Sequence, residues 1–423
     1  MVHKNYPKYL LQALLLFLFF FGTAEAQPQR AYERGLEELY NGNRTRALDV
    51  WYNAYQREGG VDARIGIEYI RVVTQNRMRE YYGQATQLYY RALLDASGPE
   101  SRVVIRQEIN RLQPVIGRGI YRQWVEWWEN EEPRLGADMR GFWVQEDPTP
   151  AVISNERLVE HWIRIAEAKQ RYTKNSNTVY GTDDRGLLYV RYGTPDRVRT
   201  GILTLQNLNI QNWLQNQLNP YAERTVGEEP PYDRELTAEN QMELFNRLQD
   251  AIYEFHRYPE YEIWFYNGMA PGENEPVIFI FGTDVETGEF SYRSSVEDFI
   301  PERAYQSVME LEEEGVEFTR AGYTPALILQ MLYYEQLMHS DPYFERRLNE
   351  IRDKLLEQEE AYRGLDLAIR SESRESLQQR RATVPVEQST YMERMPNIPL
   401  SVYQYRFLDQ DGNPIMLTYL ESL

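Results

Sequence analysis

The chain has no cysteine. That excludes disulfide staples, a thiol nucleophile, a lipid-bearing cysteine and any zinc site built on thiolates. Each domain must therefore hold together by core burial. Histidine is nearly as scarce, at four residues. Beyond His3, the residues His161, His256 and His339 lie far apart, and none has a second histidine or paired acids at ligand spacing. No His-Glu-x-x-His site exists, so neither a metal nor a cofactor is expected, and packing or capping roles suit these histidines better. There is no Gly-x-Ser-x-Gly elbow either. The Tyr-Gly-Thr-Pro-Asp stretch at 192–196 lacks the lysine and glycine count of a phosphate loop. Basic residues are the minority, 46 against 65 acidic, for a net charge of −19. A nucleic-acid partner is excluded on that ground, because phosphate binding needs a basic face. After the N-terminus no apolar run approaches the roughly 20 residues of a membrane span.

What is present starts with bulk. The 423 residues are 42% hydrophobic and include 33 Tyr and 8 Trp, enough for two or three packed domains. Lys4 and Lys8 precede the apolar run YLLQALLLFLFFFG, and Ala24 and Ala26 follow in TAEAQ. This is the layout of a secretory signal peptide over residues 1–26, cleaved after Ala26 to leave Gln27 first. A secreted or periplasmic protein is expected.

Residues 27–116 read as tetratricopeptide-like helical hairpins. Gly35, Gly42, Ala47, Trp51 and Ala54 have the repeat's spacing, in which small residues let two antiparallel helices approach and the aromatic fills the gap. Ala85, Tyr89 and Ala92 recur 38 residues after Ala47, Trp51 and Ala54, against a usual period of about 34, without the leading glycine. A longer first helix is expected in that copy, and PESRVVIRQEINRLQPVI would cap the array. Such arrays present a surface to a protein segment.

In the middle, Asn155 or Ser154 caps a helix bearing Leu158, Trp162, Ile165 and Ala166 on one face. The stretch DDRGLLYVRYGTPD carries bulky residues on both faces of its Leu187–Tyr192 core, which predicts a buried strand stopped by a Gly193-Thr194-Pro195-Asp196 turn. YEIWFYN and EPVIFIFGTDVETGEFSYR read as strands, the latter a pair joined near Gly288.

The ordered set Phe142-Trp143, Asp147-Pro148-Thr149-Pro150, Asn155-Glu156, His161-Trp162, Thr182-Asp183, Arg185-Gly186, Tyr192-Gly193, Pro195-Asp196 and Tyr261-Glu262-Ile263-Trp264 resembles the GWxTD domain family of secreted bacterial proteins. The likeness covers roughly residues 120–300. The eponymous motif departs from the pattern, with Tyr180 in place of its Trp and no first Gly. The resemblance implies an envelope location and brings no reaction with it.

Residues 301–384 show helical periodicity, with Leu348, Ile351 and Leu355 as one stripe and charge on the other faces. In 385–423, Val402, Tyr403, Tyr405 and Phe407 precede Asp-Gly, and Ile415, Leu417 and Tyr419 alternate after it, which predicts a β-hairpin in preference to a calcium loop. Either this hairpin joins an earlier sheet or it opens a β-rich domain beyond Leu423, with the second favoured.

The expectation is thus an α+β protein: helical repeats over 27–116, a mixed GWxTD-like domain over 117–300, a helical segment and a terminal hairpin. Its expected role is that of a non-catalytic binding or scaffold protein of the bacterial envelope, contacting another envelope protein or peptide segment through the repeats. The alternative is a hydrolase of an envelope polymer using Asp183, Asp184 and Asp196, since paired carboxylates serve as acid and base. Under the first reading these aspartates start and stop turns and Arg185 pairs with one of them.

Overall fold

A computed structural model describes residues 30–56, 61–205, 246, 249–250, 252–269, 275–306, 312–313, 316–317, 325–357, 364–387, 400–408 and 414–422. The signal-peptide reading and its cleavage point lie outside these residues. The chain is α+β and rich in helix. It divides into two compact units, one of residues 1–167, 190–193 and 386–423, the other of residues 168–189 and 194–385. This division differs from the segments read in the sequence. Residues 117–167, expected in the mixed domain, belong with the repeats, and the hairpin region is grouped there too.

The first unit is helical: α1 (residues 30–40), α2 (Arg44–Tyr55), α3 (Ala63–Gln75), α4 (Tyr82–Leu94), α5 (Pro99–Leu112), α6 (Arg118–Glu129), α7 (Leu135–Gln145) and most of α8 (Glu156–Arg171). Their starts follow local rules. Asp62 accepts the Arg64 N–H at 3.0 Å, Pro99 opens α5, and Asn155 accepts the Leu158 N–H at 2.6 Å. Ala47, Trp51, Ala85, Tyr89 and Ala92 are fully buried, whereas Ala54 is half-buried. A Cβ on Gly35 would lie 2.0 Å from Trp51 Nε1, so this position admits only glycine. The second hairpin has its glycine as well, displaced to Gly66, where a Cβ would meet Leu88 O at 2.5 Å and Ala92 Cβ at 2.6 Å. Instead of one longer helix, a 3₁₀ turn over Arg79–Tyr81 takes up the extra residues before α4. Helix α5 packs on α3 and α7 packs on α4, which continues the array beyond the expected cap.

The second unit centres on an antiparallel sheet in the order β1 (Arg197–Ile202), β2 (Glu260–Tyr266), β3 (Val277–Thr283), β4 (Phe290–Arg293). Phe265 pairs with Ile278 and Ile263 with Ile280. These four point into a core shared with the helices Pro325–Leu337, Pro342–Glu357 and Leu365–Ala382. Pro325 through Tyr334 are all buried, because this helix is apolar all round. Leu348 and Ile351 are buried on the next helix, and the Leu355 side chain lies outside the described residues. On the opposite sheet face, the ring of Trp264 meets Phe281 at 5.1 Å and Tyr172 at 5.4 Å. Tyr172 in turn meets Tyr189 at 5.5 Å.

One element departs from the sequence reading. Asp184–Tyr192 is a helix, α9, and not a strand. Leu188, Tyr189, Val190 and Tyr192 are all buried, so the segment is enclosed nearly all round and its periodicity carries no information. The deciding signal is at its start, where Asp183 accepts the Arg185 N–H at 3.1 Å as an N-cap. At its end Gly193 turns the chain with φ +78°.

A short pairing of β5 (Glu312–Glu313) with β6 (Val316–Glu317) follows. The terminal hairpin pairs β7 (Leu400–Leu408) with β8 (Pro414–Ser422), Tyr403 opposite Tyr419. Among the described residues it forms its own two-stranded sheet and does not join the earlier one. Its Asp-Gly turn lies outside the described residues.

Candidate functional site

Thr182, Asp183, Arg185, Gly186 and Trp264 come together in the second unit as a closed polar knot. Asp183 Oδ1 accepts from Arg185 Nε at 3.0 Å and Oδ2 from Nη2 at 2.7 Å. Oδ2 also accepts the Lys174 N–H at 3.2 Å. Arg185 Nη1 donates to Glu262 Oε2 at 2.8 Å, and Glu262 Oε1 takes the Trp264 indole N–H at 2.6 Å. The chain Asp183–Arg185–Glu262–Trp264 therefore ties the start of α9 to β2. The Arg185 guanidinium also lies 4.6 Å from the Phe290 ring. Thr182 bonds the Thr178 hydroxyl at 2.9 Å, and Gly186 has no room for a Cβ, which would sit 2.2 Å from Thr182 Oγ1. Glu262 belongs to this knot, and its strand-like surroundings gave no sign that it would pair with Arg185.

The other two acids are engaged elsewhere. Asp184 Oδ2 accepts the Tyr292 N–H at 2.8 Å, on β4. Asp196 Oδ2 accepts the Asn267 N–H at 2.6 Å, and its own N–H donates to Phe265 O at 3.0 Å. Tyr292 pairs with Phe281, which pairs with Glu262. Asp184 and Asp196 are thus separated by about 13 Å along β2 and about 14 Å across the sheet, on the order of 20 Å in all. Acid–base carboxylate pairs of glycosidases work at about 5–9.5 Å. Asp184 and Asp196 do not converge, and Asp183 is committed to Arg185.

The remaining signature residues lie in the first unit. Trp143 is buried, donates its indole N–H to Tyr89 Oη at 3.2 Å, and its carbonyl accepts from Asn155 Nδ2 at 2.5 Å. Tyr89 donates to the fully buried Glu108 at 2.7 Å, and Glu108 pairs with Arg111. Arg111 lies 4.7 Å from the Trp162 ring. Asp147, before Pro148, accepts the Thr149 N–H at 3.2 Å in an Asx turn. His161 is buried with its ring 5.2 Å from that of Trp143. Burial, reinforced by Arg157, Arg111 and Arg164, holds its pKa well below the ordinary value, so it is neutral. Tyr261 lies within β2 and Pro195 precedes β1 in the second unit, while Tyr192 and Gly193 group with the first. The signature is thus split, and the turn, the knot and the tryptophan network are separate constructions.

No family model, curated protein or solved structure matches this chain. Among the described residues no three histidine or acidic side chains are placed to hold a metal. A groove lies on the helical array. Ile120 and Trp124 of α6 and Ala137, Gly141 and Phe142 of α7 line this groove of about 540 Å³. Ile120 is 39% exposed there, and Val144 on the same helix as Gly141 is 44% exposed. No described helix is long and apolar enough to cross a membrane.

Proposed function

We propose that this is a binding or scaffold protein of the bacterial envelope, exported by its N-terminal signal, which contacts another envelope protein or peptide segment through its helical array. The observation that carries this reading is the employment of the acids. Asp183, Asp184 and Asp196 each accept backbone or guanidinium hydrogen bonds that hold the second unit, and Asp184 and Asp196 sit too far apart to act as a pair. The array supplies the contact surface, a groove where Ile120, Gly141 and Phe142 stand beside Arg134, Asp138 and Gln145. A surface of this kind suits side chains of a protein partner better than phosphate, consistent with the net charge of −19.

The test is affinity capture from envelope fractions with the full-length chain. Wild type is expected to retain a defined partner that Ile120→Glu loses while melting normally. Asp184→Asn and Asp196→Asn are expected to retain it and to complement a deletion strain. A folded Asp196→Asn protein that fails to complement would overturn the scaffold reading in favour of chemistry at that acid.

A further inference from the structure

The first unit buries a row of charges along α8 whose balance depends on a residue far away in sequence. Arg157 has a side chain only 1% exposed, and Arg164 one 4% exposed. Glu160 serves Arg164, with Oε1 accepting from Nη2 at 2.9 Å, and it stands 3.6 Å from Arg157 Nη1 without a hydrogen bond. Glu108 is likewise committed, to Arg111 and Tyr89. Arg111, Arg157 and Arg164 thus face two buried carboxylates, Glu108 and Glu160, that are already engaged. The third acid is Glu387. It meets Arg157 side-on, Nε donating to Oε1 at 3.2 Å and Nη2 to Oε2, across a sequence separation of 230. A second bond fixes the backbone next to it, Arg191 Nε donating to Val386 O at 3.0 Å. Two arginines thus read two consecutive groups of one short segment, a carbonyl and a carboxylate, and the geometry is that of a bidentate receptor.

We infer that Arg157 heads a carboxylate-binding slot, and that Val386-Glu387 fills it as a ligand carried on the same chain, clasping the last segment to the helical unit. This goes beyond the binding role proposed above and does not depend on it. The driving force is the expense of leaving a guanidinium buried without its anion, which far exceeds the gain from any exposed ion pair. While the segment is seated the slot is closed to other acids. It opens to another chain's carboxylate only when the clasp leaves.

The experiment is chemical rescue in the full-length protein. Glu387→Ala deletes a CH2–COO⁻ group, the outline of acetate. The variant is expected to melt on the order of 10 °C below wild type. At constant pH 7, sodium acetate should raise its melting temperature with the logarithm of concentration, as a ligand of the folded state does. Sodium chloride and acetamide at equal concentration should not, and the Arg157→Met, Glu387→Ala double variant should lose the acetate effect. Equal responses to acetate and chloride, or an acetate response that survives Arg157→Met, would overturn the slot. Should Glu387→Ala fail to fold, Glu387→Gln decides, since it keeps the shape and removes the charge. Its melting with wild type would overturn the proposal, and its melting below wild type supports it.

Discussion

Alanine at position 66 tests the close helix packing of the array, because two opposing effects act there and the structure says which wins. In a helix interior alanine is favoured over glycine by about 1 kcal/mol, so intrinsic propensity alone makes Gly66→Ala stabilising. The added Cβ, however, would lie 2.5 Å from Leu88 O, 2.6 Å from Ala92 Cβ and 3.0 Å from Tyr55 Oη. Carbon contacts settle at about 3.5–4.0 Å, so α3 and α4 must part by about 1 Å along their shared seam. That movement also disturbs Tyr55, whose hydroxyl donates to Asp62 O at 3.0 Å and accepts the Gly66 N–H at 3.2 Å. Overpacking of this kind costs about 1–3 kcal/mol, and the strained hydrogen bonds add to it. The net expectation is a loss of about 1–3 kcal/mol, read as a fall of about 2–10 °C in the first unit's melting transition by circular dichroism at 222 nm. Gly141→Ala is the matched control. That glycine is inside α7 with nothing within 4 Å of its added Cβ, so propensity acts unopposed and a gain of about 0.5–1 kcal/mol is expected. Gly66→Ala melting at or above wild type would refute the packing argument, whatever the control does.

Four further outcomes are expected. Val190→Asp places a carboxylate at a fully buried position and should prevent folding, seen as loss of soluble protein, while Asp196→Asn should cost about 1 kcal/mol or less by urea titration. Asp183→Ala strands the Arg185 guanidinium in the knot, and a loss of about 3 kcal/mol is expected; a loss under about 1 kcal/mol would show that the knot is ornamental. His256, bonded through Nδ1 to Tyr333 Oη at 2.9 Å, has its pKa lowered by burial to about 4, so the fold is stabilised by its neutral form above about 6.5 and loses that contribution as pH falls toward 4; His256→Asn should flatten this part of the urea-midpoint profile. Burial raises the Glu297 carboxyl, which accepts from Ser373 at 2.6 Å and Tyr334 at 3.0 Å, so its contribution is full below its unfolded value and is lost as pH rises through the folded one; Glu297→Gln should gain on wild type as pH is raised from about 5 to 8, and parallel profiles would refute this.

Much of the architecture was legible because it rests on short-range rules. The repeat hairpins followed from small residues at fixed spacing, and β2, β3 and β4 from apolar alternation between turns. Failure came where burial erased the pattern. Leu188, Tyr189, Val190 and Tyr192 are all buried, so strand and helix look alike, and only the Asp183 cap at the start distinguishes them. The second repeat's glycine was overlooked because a 3₁₀ insertion moved it to Gly66, off the expected offset. Asp196 could be assigned to a turn from its Gly-Thr-Pro-Asp setting, whereas the partners of Glu262 and Glu387 could not be read from the sequence. Their partners, Arg185 and Arg157, lie 77 and 230 residues away, and no local spacing encodes such pairs.

That last separation sets an order of events. The first unit draws on residues 1–167, 190–193 and 386–423, so part of it is synthesised only after residues 194–385 of the second unit. Arg157 is made 230 residues before the carboxylate that neutralises it. Until then α8 carries a guanidinium that cannot be buried without heavy penalty, and the helical array must keep that stretch of surface wet and open. Loop closure over such a distance is slow relative to local hairpin formation. Local hairpins of the array can thus dock before residue 387 is made, whereas neutralising Arg157 waits on a long-range closure.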